Sequence, residues 1–443
     1  MTNFKWKAEI LLISKCGCIS AFFSMVLSSQ NRMKTRLLTT LLFSAMLLLT
    51  NRWLSYQEGI DILKAADTHS YMTIAQAAPA LPNLPSEAVL PTNHTARFIV
   101  PYLAGTVAHF TGIGYEWVFL LATLLFCAVV IWACHQMFEE LRLDTTAYTL
   151  SMALLIFNPY MFRYYLAVPA MVNDVVFVAG LSLTLLGLLR GGFPLVLIGA
   201  LVALAGRQNA LVFLPAVALW MLWGEKWRTG GIVPALTRFV IVAASVVGAY
   251  LVIGHIIAPF SVRGMESDAI MGFLRWMLAP SAGKAKVLAE YGLRTVICLL
   301  FPLFIMLAIL LERRLSGLSL KAALKLLPRE FWFALAFVAS LYGFAFLGGP
   351  ELFMSGVTRY VSHTLPAMIL AFGFMLKSYN SFGETKSAPM MMVSALCAMG
   401  SFHHMTTFGG TTSDRAMYFA VMYCILAIFA GVVAFASLRS QRD

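Results

Sequence analysis

The segment KAADTHSYMTIAQ, residues 64–76, places an acid, an imidazole and a phenol close together in an otherwise apolar chain. Asp67 offers a carboxylate that can accept a proton, and His69 and Tyr71 follow at two-residue intervals. General acid–base catalysis needs such a group fixed beside the reacting atoms. Asp67 is the candidate base, and His69 and Tyr71 are candidate orienting or acceptor contacts, although on a helix His69 would point away from Asp67. Capping of a short helix from Thr68 is the structural alternative for Asp67.

Several arginines lie where apolar runs end, although charged residues are costly in apolar surroundings. A guanidinium group keeps its charge at any pH and binds phosphate through two parallel hydrogen bonds. At mid-bilayer an arginine costs about 2.5–3.5 kcal/mol on insertion scales. Snorkelling, helix capping or pairing explains any one of them, but the set together predicts a phosphate-binding site. The candidates are Arg207 and Arg359, followed by Arg97 and Arg163.

Further polar groups accompany these arginines. Asp174 opens an apolar run, where an acid also complements the helix dipole. Gln208 and Asn209 follow Arg207 directly and can donate hydrogen bonds to phosphate or sugar oxygens. On a helix, residue 363 shares a face with residue 359. The predicted substrate contacts are therefore Asp174, Gln208, Asn209, Tyr360 and His363.

Apolar runs must position these side chains. Runs of about 16 to 25 residues without strict alternation predict transmembrane helices and not barrel strands. We predict an all-α polytopic membrane protein with about twelve spans, in the range of eleven to thirteen. The runs lie near residues 37–54, 115–137, 147–162, 174–189, 193–206, 208–223, 232–257, 293–311, 331–347, 360–376, 390–405 and 416–437.

The loops between these runs predict an orientation. If the start of the first run is cytoplasmic, most loops on that side carry Lys or Arg, as the positive-inside rule requires. The opposite side then receives the candidate residues and a long loop over residues 55–114. Four prolines interrupt that loop, and an apolar stretch after them predicts an interfacial or re-entrant helix. We interpret the loop as a structured lid on the membrane surface.

Composition supports the membrane assignment. The 443 residues are 60% hydrophobic and only 12% charged, and the mean hydropathy is +0.81, which is too apolar for a soluble core. The net charge of +12 is scattered over short loops, so it indicates membrane orientation and anionic headgroups, with no nucleic-acid partner. The seven cysteines lack disulfide or zinc spacing. No cofactor is predicted, and the sequence leaves a divalent metal requirement open.

The chain divides into three parts. Residues 1–32 contain a weaker run interrupted by Lys15, which we interpret as an over-extended gene start or a loosely inserted segment. A basic segment and a clean apolar run follow from Met33, and no small-residue cleavage site comes after that run, so it predicts a retained span. Residues 33–376 hold all the candidate site residues, and residues 377–443 predict C-terminal transmembrane helices.

The order of these pieces resembles the C-type glycosyltransferase superfamily, integral membrane enzymes that transfer sugars from polyprenyl-phosphate carriers outside the cytoplasm. The resemblance rests on ADTHSYMTIA, ARFIVPYLAG, RYYLAVPAMVND, AGRQNALVFLPAVALW and GVTRYVSHTLPAMIL. It implies that residues 33–376 form a glycosyltransferase-like module with Asp67 as its catalytic acid. Many relatives have a second acid close to the first, whereas Asp67 stands six residues from Asp61. Members with a large soluble C-terminal domain are poor models for this chain.

The expected activity is therefore inverting sugar transfer from a polyprenyl-phosphate donor to a glycan, lipid or protein acceptor in cell-envelope glycan biosynthesis. The expected location is a bacterial inner membrane, with the site facing the periplasm or exterior. Two other readings stay open. A polysaccharide polymerase or ligase would share the lipid-linked substrate, and a secondary transporter or lipid flippase would share the spans and intramembrane charges.

Overall fold

A computed structural model describes residues 18–51, 53, 66–82, 90–262, 269–280, 282–354, 356–379, 387–402 and 413–440. Every regular element in these residues is a helix, and a single bridge between Pro91 and Val262 is the extended pairing recorded there. The first ten α-helices are α1 Cys18–Thr50, α2 Ala66–Ala77, α3 Thr92–Thr95, α4 Ile99–Thr111, α5 Tyr115–Leu141, α6 Thr145–Ile156, α7 Phe162–Ala167, α8 Val172–Arg190, α9 Phe193–Gly206 and α10 Leu214–Trp223.

The second half of the chain continues in the same way. Short 3₁₀ turns link several of its helices, as they do after α7 and α9. The remaining helices are α11 Ile232–Ile257, α12 Ala269–Leu278, α13 Lys284–Val296, α14 Leu300–Leu315, α15 Leu320–Lys325, α16 Arg329–Leu347, α17 Gly349–Phe353, α18 Val357–Ser362, α19 Leu365–Tyr379, α20 Ser387–Gly400 and α21 Ser413–Arg439.

Seven helical segments in the described residues are long and apolar enough to cross a membrane. They are Met33–Thr50, Tyr115–Leu141, Pro169–Arg190, Ile232–Phe260, Lys284–Leu315, Arg329–Leu347 and Ala420–Arg439. The chain is thus an all-α, multi-pass membrane protein, as predicted. Six further apolar helices have 10–17 residues. At 1.5 Å per residue their lengths are about 15–26 Å, against about 30 Å for a bilayer core.

Helix α8 forms the centre of the bundle. In the segment Pro169–Arg190, 94% of the most apolar window is buried inside the protein, against 22% in Ile232–Phe260. The segment's near-continuous apolar sequence is typical of a helix surrounded by protein. Its closest neighbour is α9, which follows after a two-residue turn. Gly206 ends α9 so near α8 that a Cβ there would lie 2.4 Å from the amide nitrogen of Phe177.

The loop predicted over residues 55–114 contains three helices, α2 to α4, in its described part. Helix α4 has 13 residues and ends at Gly112, whose φ of 70° is the left-handed conformation that suits glycine. Helix α2 packs against α4 at Gly105, where a Cβ would lie 2.0 Å from the Ala75 carbonyl oxygen. Glycine therefore permits the close contact that holds α2 on the bundle.

The predicted extension over residues 1–32 is described only from Cys18, where α1 begins, and residues 1–17 lie outside the described part. Helix α1 continues without a break through Met33 to Thr50. Arg36 on this helix donates to both carboxylate oxygens of Glu139 on α5, at 2.8 and 2.9 Å. The Thr40 hydroxyl lies 2.7 Å from that of Tyr148 on α6. These polar contacts attach the first span to the bundle.

Candidate functional site

Asp67 lies in the first turn of α2, where a carboxylate complements the helix dipole. Helical spacing gives this short helix a buried face, formed by Thr68, Tyr71, Met72 and Ala75. The helix begins at Ala66, one residue before Asp67. Packing of this face against the bundle therefore directs Asp67 towards cationic groups from distant parts of the chain.

Three cationic or imidazole groups surround the Asp67 carboxylate. Its Oδ2 accepts a hydrogen bond from Nη2 of Arg359 at 2.8 Å and lies 3.6 Å from Nη1 of Arg97. Its Oδ1 lies 2.7 Å from Nε2 of His94. Burial alone would raise the pKa of Asp67, but Arg359, with smaller contributions from His94 and Arg97, outweighs burial and holds the pKa well below its usual range. Asp67 is therefore ionised at neutral pH.

Arg97 ties the start of α4 to α2. Its Nη1 donates to the Tyr71 hydroxyl at 2.7 Å, and its Nε donates to the Gln208 side-chain oxygen at 3.3 Å. Burial raises the pKa of Tyr71 to about 12, so the phenol stays protonated at neutral pH. His94 lies near the same place, with its Nδ1 3.1 Å from the Ser70 hydroxyl.

A second carboxylate, Asp174, lies in the first turn of α8 and is 1% exposed. Arg207 donates to its Oδ1. Its Oδ2 lies 3.3 Å from Nε of Arg359 and 3.7 Å from Nε2 of His363. Arg207 directly follows Gly206, so the close packing of α8 and α9 brings this arginine to the aspartate. Arg359 therefore bridges the two carboxylates.

Tyr360 supports both of these arginines. The guanidinium carbon of Arg207 lies 4.6 Å from the centre of its ring, and that of Arg359 lies 4.9 Å away. The Tyr360 hydroxyl also accepts a hydrogen bond from Nη2 of Arg359 at 3.1 Å. Cation–π contacts are strongest where water is excluded. The five residues Asp67, Arg97, Asp174, Arg207 and Arg359 are called the arginine–aspartate cluster below.

The cluster has excess positive charge and unused hydrogen-bonding capacity. Its three arginines outnumber its two aspartates by one. Several polar atoms are buried without a hydrogen-bond partner, a costly arrangement that a polar ligand can relieve. They are Nε of Arg207 and both side-chain polar atoms of Asn173. This arrangement is suited to binding an anion.

Most of the sequence-predicted residues meet here. The structure brings together Asp67, Tyr71, Arg97, Asp174, Arg207, Gln208, Arg359, Tyr360 and His363.

Among the described residues, three predicted residues make no polar contact with the cluster. His69 is on the exposed side of α2. Asn209 is buried in the turn after Arg207, and no hydrogen bond of its side chain is recorded among the described residues. The fully buried Arg163 donates to the Ser401 hydroxyl at 2.8 Å and to Thr50, so it belongs to a different set of contacts.

Sequence reasoning missed His94. A usable signal was present, because positions 94 and 97 are three residues apart and share a face wherever the chain is helical. The backbone is helical or turned there, in α3 and the turn after it. It also missed Met171, whose sulfur lies 3.7 Å from Nη1 of Arg359. A methionine in an apolar run carries no signal that separates this position from ordinary packing.

Among the described residues, no group of three or more His, Cys, Asp or Glu side chains could hold a metal ion. A cavity of about 630 Å³ lies elsewhere, around the C-terminal ends of α5 and α8, and its lining includes Glu139, Glu140, Lys226 and Glu330. No protein-family model, curated protein or solved structure matches the chain.

Proposed function

We propose that this protein is a membrane glycosyltransferase that moves a sugar from a polyprenyl-phosphate donor to an acceptor hydroxyl with inversion of configuration. Asp67 is the general base. One observation carries the proposal: Asp67 is 2.8 Å from Arg359, so a carboxylate base and a phosphate-binding cation lie side by side at the exposed edge of the cluster. The remaining members are buried behind this pair.

The chemistry needs both groups. The acceptor oxygen forms a bond to the anomeric carbon, the bond from that carbon to the phosphate oxygen breaks, and the acceptor proton passes to Asp67. The donor is a phosphodiester with one negative charge, and the departing polyprenyl phosphate gains a second. Preorganised arginines stabilise this developing charge. A cluster with one excess positive charge matches the charge of the donor.

The other residues take supporting roles in this proposal. Arg97 and Gln208 face the phosphate from the α4 side, and Tyr71 holds Arg97. Asp174 and Tyr360 hold Arg359, Arg207 pairs with Asp174, and His363 completes the packing around Asp174. His69, on the exposed side of α2, is available to an acceptor outside the cluster.

The membrane supplies the donor. The chain is a multi-pass membrane protein, and we propose about twelve spans in a bacterial inner membrane, with the cluster on the periplasmic or exterior side. Nucleotide sugars are absent there, so an activated sugar must arrive on a lipid. A site at the ends of spans puts the reactive carbon at headgroup depth, while the polyprenyl tail stays among the apolar helices. The acceptor is a glycan, lipid or protein in the cell envelope.

The direct test uses Asp67→Asn. We expect this variant to insert and fold but to lose sugar transfer from polyprenyl-phosphate donors, by about 10²-fold or more if the base is removed. Asp144→Asn is the matched control, because Asp144 caps α6 through the Ala147 amide and asparagine also caps well. Full transfer by Asp67→Asn would exclude Asp67 as the base.

A second test concerns the side of the membrane. Reporters inserted after Gly112, at the end of α4, and after Ser319, at the start of α15, should report opposite sides. The Gly112 reporter should be outside the cytoplasm. A cytoplasmic signal there would contradict a site that uses lipid-linked donors on the outer face.

A further inference from the structure

Exposure is uneven within the arginine–aspartate cluster. The side chains of Asp67 and Arg359 are 17% and 15% exposed, whereas those of Arg97, Arg207 and Asp174 are 1–3% exposed. A ligand that approaches the cluster therefore meets the Asp67–Arg359 ion pair first. An anion that binds Arg359 lies next to the Asp67 carboxylate, so the two negative groups compete for the same guanidinium group.

The contacts of Arg359 differ in strength around its guanidinium group. Nη2 donates to Asp67 at 2.8 Å and to the Tyr360 hydroxyl at 3.1 Å. Nη1 lies 3.7 Å from the Met171 sulfur, a weak acceptor, and the Arg359 side chain is also hydrogen-bonded to Tyr164. Nε lies 3.3 Å from Asp174. The edge formed by Nη1 and Nη2 is thus the one that a phosphate can take with two parallel hydrogen bonds.

We propose that the donor phosphate displaces Asp67 from Arg359, so that substrate binding itself frees the carboxylate to act as the base. The inference rests on the proposed function and adds regulation to the same site. Asp174 makes the exchange feasible, because its contact with Nε holds Arg359 in place while the Nη edge changes partner. His94 remains on Oδ1 of Asp67 and keeps the freed carboxylate oriented.

The exchange resolves a conflict within the site. The pKa of Asp67 is held well below its usual range while Arg359 pairs with it, and such a carboxylate is a weak base. Loss of the pairing and arrival of a phosphate charge both raise the pKa. The base is then active only when donor is bound, which protects the site from unproductive proton transfer. The charged and titratable groups around Asp67 are Arg359, His94, Arg97, Tyr71, Asp174, Arg207, Tyr164 and Tyr360.

The test measures binding and needs no catalysis. The probe is farnesyl methyl phosphate, a phosphodiester with one negative charge, added to the full-length protein in nanodiscs. Because asparagine does not compete for Arg359 as a carboxylate does, Asp67→Asn should bind the probe about tenfold more tightly than the wild type. Asp144→Asn should bind as the wild type does. Farnesol, which lacks the phosphate, should show no difference between these proteins.

A double variant locates the effect. Asp67→Asn combined with Arg359→Gln should lose the tenfold gain, because the contested donor is gone. A second measurement uses the wild type alone, so it does not depend on the folding of any variant. In weak, mildly acidic buffer, binding of the probe should be accompanied by proton uptake, since loss of the Arg359 pairing raises the pKa of the carboxylate.

The outcomes separate the two proposals. If the wild type binds the probe, but Asp67→Asn binds equally or more weakly and no proton is taken up, the displacement is wrong and the transferase proposal stands. If the wild type does not bind the probe, both proposals fail. If binding follows the expected pattern but no sugar is transferred from any lipid-linked donor, the site binds phosphate and the transferase proposal fails.

Discussion

The two ends of α8 carry charge in opposite ways. At the N-terminal end, Asp174 is 1% exposed and paired with equally buried Arg207. At the C-terminal end, about 28 Å away for a helix of 19 residues, Arg190 pairs with Glu140 while their side chains remain 35% and 32% exposed. One helix thus joins a buried set of charges, called the dry end below, to a solvent-exposed set, called the wet end.

The comparison shows that charge has a different energetic role at the two ends of α8. The cavity of about 630 Å³ is at the wet end, where water screens each charge and surface pairs contribute about 0–1 kcal/mol. At the dry end, burial makes every charge costly, and a buried pair is weak evidence for stability. Retention of five charged groups and several unpartnered polar atoms there favours a role in binding. The predictions below test this contrast, beginning with the largest effect.

The largest expected effect follows removal of Arg207. Arg207→Ala leaves Asp174 buried with an incomplete set of partners, and we expect a loss of about 3–5 kcal/mol in the free energy of unfolding. Denaturant unfolding in mixed micelles measures it. A double variant, Arg207→Met with Asp174→Asn, removes both charges and should lose less than Arg207→Ala alone. Equal losses for the two variants would mean that the cost comes from lost packing and not from the unpaired charge of Asp174.

The next largest effect is expected at the Arg36–Glu139 ion pair, which is partly buried. Arg36 is nearly buried, whereas Glu139 is 30% exposed, and Arg36 also donates to the Leu143 carbonyl oxygen. Arg36→Ala should lower the free energy of unfolding by about 1.5–3 kcal/mol, the usual range for hydrogen bonds to charged groups. Lys34→Ala, on the exposed side of the same helix, is the control. A loss of unfolding free energy no larger than that of Lys34→Ala would show that α1 is not held by this pair.

Sequence alone gave the helical class and the multi-pass character, because apolar length and low charge determine both. It also selected most of the cluster, since arginines at the ends of apolar runs are costly without partners. It could not say which arginine meets which aspartate. Asp67 and Arg359 are 292 positions apart, and only the packing of α2 and α18 against the bundle brings them together. Arg163 shows the limit of the sequence prediction. Like Arg207 it lies at the end of an apolar run, but its partners are different.

Acid should affect the dry end selectively. The pKa of Asp67 is lowered in the folded protein. As pH falls below the ordinary aspartate pKa of about 3.9, the unfolded chain therefore binds more protons than the folded protein. The stabilisation is fully present above that pH and is lost as pH falls through the folded-state pKa. We expect the melting temperature of the wild type to fall more steeply below pH 4 than that of Asp67→Asn. Parallel curves for the two proteins would contradict the paired state of Asp67.

The smallest effect is expected at the wet end. Arg190 donates to Glu140 at 2.8 Å and to Gln136 at 2.6 Å, yet both ion-pair partners are about one-third exposed, so screening and side-chain entropy offset much of the attraction. Arg190→Ala should lower the free energy of unfolding by about 0–1 kcal/mol, and the remaining difference should shrink in 1 M salt, where the Debye length is about 3 Å. Arg207→Ala should keep its deficit in the same salt, because Arg207 and Asp174 are both only 1% exposed and salt screens a buried pair much less than an exposed one. A large, salt-resistant loss for Arg190→Ala would remove the contrast between the two ends and with it the argument that the buried end alone is built to bind a charged ligand.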